Sequence, residues 1–531
     1  MTDSARKKPE KPDLEFTPEF QRTLDLLENT NKSVFITGRA GTGKSTLLDY
    51  FRNNTGKKVV VLAPTGVAAL NVSGQTIHSF FAFRPDITLD RVKKLPARKQ
   101  ALIKNLDAVI IDEISMVRAD LLDCVDRALR INRDFPELPF GGVQMILIGD
   151  LYQLPPVVTG NEKPAFSLHY ESPYFFSARA FNDPNFELEF VELEKVFRQK
   201  EVDFLELLNA IRNRSISEEQ LARLNARCLP DFVPPEDRFY ITLTSTNEAA
   251  DRINQEKLEK LPGAGRRYPG VISGDFDPDS LPASRILALK EGAQVMLLNN
   301  DAYDRWVNGS IGRVEEIIEA EDRPDTVMVR LLNGSLVDVL PHEWEIFEYE
   351  YDRQRKKIIS RVTGTFTQYP LRLAWAVTIH KSQGKTFDRV VVDIGRGAFA
   401  PGQVYVALSR CTSFEGLVLK KPIKKGHIMM DYRVVRFLTQ FQYRKAEEQT
   451  PVELKRQKIK EAIKKNRLLE ITYLKPDDTK SRRRVRPISL TMMESRGRTF
   501  EALVAYCHLR KEERHFRLDR ILELKVLEKS G

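Results

Sequence analysis

The sequence predicts an α/β protein with two parallel-sheet domains, the second interrupted by a small β-barrel, and a separate basic module at the C-terminus. Three observations predict it. First, SVFITG, KKVVVLAP, LDAVIIDE and VQMILIGD recur between about residues 33 and 150 as short Val- and Ile-rich runs ending in polar or Gly-containing turns. That is the pattern of strands buried on both faces of a parallel sheet. Second, a similar set returns later as FYITLTSTN, RVVVDIG and GLVLK. Third, residues 451–531 hold 22 Lys/Arg and 12 Asp/Glu, so the tail carries the whole of the chain's net charge of +10. A balanced body with a basic tail points to an added module for an anionic partner.

The 531 residues suffice for three or four domains, and 42% hydrophobic content suffices for several cores. MTDSARKKPEKPD has no apolar stretch and reads as a disordered arm over residues 1–14, not a secretory signal. No apolar run approaches the ~20 residues of a membrane span. Cys124, Cys228, Cys411 and Cys507 show neither CxxC nor histidine spacing. That argues against a zinc site or disulfide framework and fits a reducing cytoplasm. Between about 290 and 365 the character changes. TVMVRLLNGSLVDVL alternates polar and apolar residues around Asn333-Gly334, a hairpin signal that places a small barrel inside the second domain. QYRKAEEQTPVELKRQ, about 441–454, reads as a linker with some helix.

GRAGTGKS, residues 38–45, follows a predicted strand and opens a predicted helix, the context a phosphate-binding loop requires. Gly41 and Gly43 let the backbone turn its N–H groups toward phosphate oxygens. With Thr42 and Thr46 they complete the predicted nucleotide cradle. Lys44 is placed to reach the β and γ phosphates and Ser45 to ligate Mg²⁺. In VIIDEIS, Asp112 ends a strand where a carboxylate can hold Mg²⁺, and Glu113 is placed to polarise water. Gln153 in GDLYQLPP is a candidate γ-phosphate sensor, and Gln21, upstream of the loop, a candidate for an adenine edge.

APTGVAA, GQTIHSFF, GDLYQLPP, VFRQ, WAVTIHKSQGKTF and GQVYVALSR follow in that order. With the two nucleotide motifs they resemble the motif series of superfamily-1 DNA helicases. VDRALRINRDFPELPFGGVQ resembles the signature of the petite-integration-frequency (PIF) family and not its RecD relatives. The resemblance covers about 15–440. It implies a first RecA-like domain over 15–190 with a small insertion near 70–100. It implies a second RecA-like domain over 191–289 and 366–440, interrupted by an SH3-like barrel at 290–365. It also implies ATP as cofactor, single-stranded DNA and forks as partners, and 5′-to-3′ movement. A monomer able to self-associate on DNA, serving replication, repair or recombination, is the expected form.

By the same resemblance Arg410 is the arginine finger, Arg198 a second cleft arginine, and Gly384 and Lys385 face the γ-phosphate. Pro64, Thr65, Val67, His78, Ser79, Phe80, Thr246, Asn247, Trp306, Asn308, Gly309, His380, Lys381 and Ser382 would line the strand path. SQGKT is no second phosphate loop, because Ile379 stands where a glycine is needed. AIKKNRLLEITYL, RRRVRPISL and FEALVAYCHLRKEERHFRLDRI resemble a WYL domain, over 455–531, although the Trp-Tyr-Leu triplet itself is absent. That resemblance implies a bacterial source and a ligand surface at Arg514, Arg517 and Arg520, flanked by Arg482, Arg483 and Arg484. Two other readings stay open here: an ATP-switched nucleic-acid sensor, and a RecD-like subunit of a nuclease complex.

Overall fold

The computed structural model describes residues 16–197, 201–235, 237–395, 397–398, 400–475, 479–495 and 497–527. The expected N-terminal arm and Arg198 lie outside the described residues.

The first domain is built on a six-stranded parallel sheet. Its spatial order is Gln75–Thr76, Val59–Ala63, Ala108–Ile111, Gln144–Ile148, Ser33–Gly38, Leu188–Leu193. The four central runs predicted from sequence are all strands, and their side chains are buried on both faces, as the absence of alternation requires. Register sets the site. Phe35 lies beside Leu147, and Leu147 beside Ile111, so Gly38, Asp112 and Gly149 all emerge from one carboxyl edge.

The second domain carries a four-stranded parallel sheet in the order Ala376–Thr378, Ile241–Thr244, Val390–Asp393, Leu417–Leu419. Between its strands, where one barrel was expected, lie three antiparallel sheets among the described residues, the smallest being the pair Arg266–Pro269/Ile286–Leu289. A five-stranded sheet spans Gln294–Leu297, Ile311–Ile318, Thr326–Leu331, Leu336–Val339 and Leu371–Leu373. Its hairpin turns at Asn333-Gly334, with Gly334 at φ 84°. A second sheet joins the long ribbon His342–Asp352/Lys357–Gln368 to Val271–Gly274. This ribbon leans on the first domain: Tyr349 Oη accepts the Val61 N–H at 3.3 Å and Glu348 meets Lys99 at 3.1 Å.

Residues 441–449, expected in a linker, belong to a continuous helix, Tyr432–Gln449. This return helix leaves the second domain and packs on the first. Phe437 stacks on Phe176 at 4.3 Å and touches Phe35, Phe175 and Phe181, while Phe441 stacks on Phe190. Phenylalanines at i and i+4 share a helix face, which explains why a mostly polar segment holds its place.

The C-terminal module is a five-stranded antiparallel sheet covered by the helix Val452–Lys464. Its core is Ile459, Leu469, Ile471, Val485, Leu503, Ala505, Cys507 and Phe516. The module touches the first domain through Lys480, which meets Glu192 at 3.1 Å and Glu194 at 2.7 Å. No helix among the described residues is long and apolar enough to cross a membrane.

Candidate active site and strand-binding face

The phosphate loop forms because Gly41 and Gly43 take φ of 81° and 85°, a region that side chains resist. Thr42 closes the turn, its N–H and Oγ1 both donating to the Arg39 carbonyl. Gly38 is equally constrained. A Cβ there would fall 2.5 Å from Thr42 Oγ1 and 2.7 Å from the Leu193 carbonyl. The helix Lys44–Asn54 then starts with no side-chain cap, and Ser45 and Thr46 are exposed at its first turn. Lys44 Nζ lies back over the loop, donating to the carbonyls of Gly38 at 2.8 Å and Arg39 at 3.0 Å. Burial pulls its ammonium below the ordinary value, opposed by Asp150, Glu113 and Asp112.

Asp112 and Glu113 stand on the same edge. Glu113 has φ 48°, left-handed backbone that a non-glycine residue adopts at a cost and that clusters at functional sites. Burial, and then the Asp112 charge, push its carboxyl up to about 7. Burial also raises Asp112.

The second domain closes over this edge. Gln153, nearly buried, accepts at Oε1 from Gln383 of the SQGKT segment at 3.3 Å, and its amide donates to Asp150 at 3.5 Å. The short helix Gln403–Leu408 begins at Gly402, φ 76°. A Cβ there would lie 2.6 Å from the Gln153 carbonyl and closer still to that of Tyr152. Tyr405, on the same helix and buried, faces the backbone of Ala40 in the phosphate loop. Arg410 follows, 1% exposed. Its Nε donates to the Val406 carbonyl at 2.9 Å, Nη1 to the carbonyls of Lys385 at 3.2 Å and Ser382 at 3.5 Å, and Nη2 to Ser409 Oγ. Its charge still favours ionised Glu113 across the cleft. Gln21 lies apart from this cluster, exposed on the helix Pro18–Asn29 and donating to Asp25.

Arg212, Asp150 and Tyr405 are cleft residues that sequence reasoning missed. An arginine ending a helix, as in LLNAIR, looks like a favourable C-terminal charge. The available signal was the apolar helix leading into it.

The strand-binding candidates divide. Thr65 and Thr246 occupy equivalent turns after strands of the two sheets. Each Oγ1 caps the next helix by accepting an N–H, from Ala68 and Ala249, which leaves the exposed hydroxyl as a donor. Val67, Ser79, Asn247 and Lys381 are exposed, and Pro64, His78 and His380 are half-buried. Three expectations are corrected. Phe80 is 4% exposed against Phe81 and Tyr349, and Trp306 is 7% exposed in the barrel-side core, so neither ring offers a face to a base. Ser382 is fully buried, its hydroxyl donating to the Ile379 carbonyl. The apolar core took the aromatics; the exposed ring of that loop is Tyr303. Lys385 Nζ donates to Asn308 Oδ1 at 2.5 Å, and Asn308 Nδ2 reaches Asn71 of the first domain at 3.3 Å. Gly309, φ 99°, lets the loop lie against the Lys385 stem. Exposed Gly384 keeps φ 75°.

In the C-terminal module Arg514 pairs with Glu512, Arg517 with Asp519, and Arg482 and Arg484 share Glu470, while Arg483 is buried. Arg520 is half-buried near Tyr443.

A phosphate loop with two carboxylates on one parallel sheet, faced by a helix and an arginine from a second, defines a two-domain P-loop nucleotide-binding protein. The PIF1-like helicase family model matches residues 20–222 and the WYL domain model residues 455–526. The Pif1 helicase of Bdellovibrio bacteriovorus is 32% identical over 442 residues, covering 81% of this chain and 93% of that one. The human helicase PIF1 is 36% identical over 399 residues, covering 73% of this chain and 58% of its own length. The chain thus spans under two thirds of the human relative. Pif1 from Bacteroides in complex with ADP-AlF4 superposes with a TM-score of 0.74 at 38% identity, over 81% of this chain and 97% of that one. Bacteroides Pif1 bound to single-stranded DNA gives a TM-score of 0.59 at 38% identity, covering 80% of this chain and 96% of that one. This chain belongs to the PIF1-like helicase family and carries a C-terminal WYL domain.

Proposed function

We propose that this protein is an ATP-hydrolysing DNA helicase that moves 5′-to-3′ on single-stranded DNA and opens duplexes at forks. The observation that supports it most is the interdomain contact set at the nucleotide edge. Gln153–Gln383 and Gly402 on the Tyr152–Gln153 backbone join the second domain to the nucleotide edge of the first, and Tyr405 lies against the phosphate loop at Ala40. Any change at the γ-phosphate position is then felt by both sheets.

The chain's own groups suit the chemistry. Lys44 must leave two backbone carbonyls to reach a phosphate, an exchange of comparable bonds at little cost. Glu113, held up to about 7, takes a proton from water near neutral pH, where a general base is most effective. Arg410 carries a guanidinium fork suited to phosphate oxygens, which it would offer after leaving the backbone carbonyls of Val406 and Lys385 that hold it here. Ser45 and Asp112 offer the hard oxygen donors that magnesium takes; bound there, the ion would neutralise phosphate charge. The capped threonines at both sheet edges would donate to strand phosphates, and the WYL domain would add salt-dependent affinity.

The test is unwinding of a labelled duplex bearing a 5′ or a 3′ single-stranded tail, with ATP, and with Lys44→Ala as control. Unwinding from the 5′ tail alone is expected. Unwinding from the 3′ tail alone would refute the direction. Strand-stimulated hydrolysis with no unwinding would point to a sensor instead.

A further inference from the structure

We propose that Arg212 is a positioning residue for ATP turnover. It would act through Asp150 to hold the Gln153 loop in a geometry that answers to the second domain. The inference rests on the motor reading above and deepens it.

Arg212 ends the helix Val202–Arg212 of the second domain, yet its side chain is 4% exposed inside the cleft against the first domain. Its guanidinium lies over the Tyr152 ring, 3.8 Å from the centroid. Nη2 is 3.6 Å from Asp150 Oδ1, whose side chain is fully buried. Asp150 in turn accepts the Tyr152 N–H at 3.1 Å and the Gln153 amide at 3.5 Å. Gln153 then meets Gln383. The path Arg212–Asp150–Gln153–Gln383 therefore starts and ends in the second domain and passes through the first-domain loop that lies beside the phosphate loop.

Two further features mark this arginine as more than an ion pair that happens to be buried. Its Nε is buried without a hydrogen-bond partner among the described residues. A structural arginine at such a depth normally has its donors satisfied. Its charge also sits among cations. It opposes Lys44 and Arg39 of the phosphate loop, with Glu192 and Asp150 as counter-charges. A group held against like charges gains when an anion enters and neutralises them, so its preferred position changes with the occupancy of the phosphate site. Stacking on Tyr152 transmits such a change directly to the backbone next to Gln153. Arginine suits this because the planar fork stacks and donates at once, whereas lysine donates from a point charge and has no plane to stack.

The experiment is a double-mutant cycle on the full chain with Arg212→Ala, Asp150→Asn and the pair, and with Arg212→Lys as the conservative variant. ATP turnover is measured with and without an oligothymidine strand, together with KM for ATP and thermal unfolding. Each single variant should lower strand-stimulated kcat by at least tenfold with KM changed less than about threefold. The pair should be no worse than the poorer single variant, because both break one path. Arg212→Lys should fall between wild type and Arg212→Ala. Losses that multiply in the pair would overturn the proposal. So would a rise in KM with kcat retained, or wild-type stimulation in Arg212→Lys. If Arg212→Ala does not fold, the cycle is run with Arg212→Lys and Asp150→Asn and judged by the same non-additivity. A wild-type protein with no strand stimulation would instead refute the motor reading on which this rests.

Discussion

Replacing Glu113 by glutamine should cost turnover and return stability, with a pH dependence fixed by the site. The Glu113 carboxyl is raised from an ordinary 4.5 to about 7 by burial and by Asp112. Between those values the native state keeps a proton that the unfolded chain has released. Stability therefore falls as pH rises through that window and levels off above about 7. At ~1.4 kcal/mol per pKa unit, the loss is at most ~3 kcal/mol, shared in part with Asp112. Glu113→Gln fills the same space and has no charge to bury. The two proteins should unfold alike near pH 5, and the variant should be the more stable at pH 8. A domain of this size shifts by ~2–4 °C per kcal/mol, so several degrees are expected. The assay is thermal unfolding from pH 5 to 8 without nucleotide and with a chelator present, alongside ATP turnover. Wild-type kcat/KM for ATP should rise through about pH 7, and the variant should be inactive. Unfolding curves that stay parallel at every pH would refute the argument that Glu113 is desolvated at the cleft floor.

Other outcomes are expected. Arg410→Ala should slow turnover by ~10³–10⁵-fold while nucleotide binding, followed with a fluorescent ATP analogue, survives; near-wild-type turnover would remove the finger assignment. Gly402→Ala should abolish strand-stimulated hydrolysis, since the added methyl meets the Tyr152 and Gln153 carbonyls, and its folded state can be checked by circular dichroism. Phe437→Ala removes a ring packed on four first-domain phenylalanines and should lower stability by ~3 kcal/mol, read from denaturant unfolding. Deleting residues 451–531 should weaken strand binding more at low salt than at high salt; equal loss at both would exclude an electrostatic role for the WYL domain.

What the sequence made legible was whatever depends on local pattern. The phosphate loop could be read because its strand, glycines and helix are contiguous, and the Asn333-Gly334 hairpin because two residues define it. Burial of aromatics could not be read. Phe80 and Trp306 sit in motifs associated with strand contact, and nothing local distinguishes a ring that stacks on a base from one that packs on Tyr349. Arg212 escaped for a related reason: its partners Asp150 and Tyr152 are some sixty residues away, brought near only by domain closure. Phe437 and Phe441 stand four residues apart, as one helix face requires, but the polar, charged run that follows them reads as a linker. Ser382 follows the same rule, since its hydroxyl is spent on a carbonyl three residues back.

The return helix has a mechanical consequence. The chain leaves the first domain before residue 201 and comes back to it at Tyr432, where Arg444 also grips the Leu188 carbonyl and Arg433 that of Glu171. A body fastened to the same frame at two points behaves as a door and not as a weight on a string. It can swing about the line joining its fastenings, but it resists being drawn straight away or spun. Any opening of the cleft would then be confined to one arc, with the phenylalanine seat of the helix as the second hinge pin. Severing that pin would leave both sheets intact and make the arc wander.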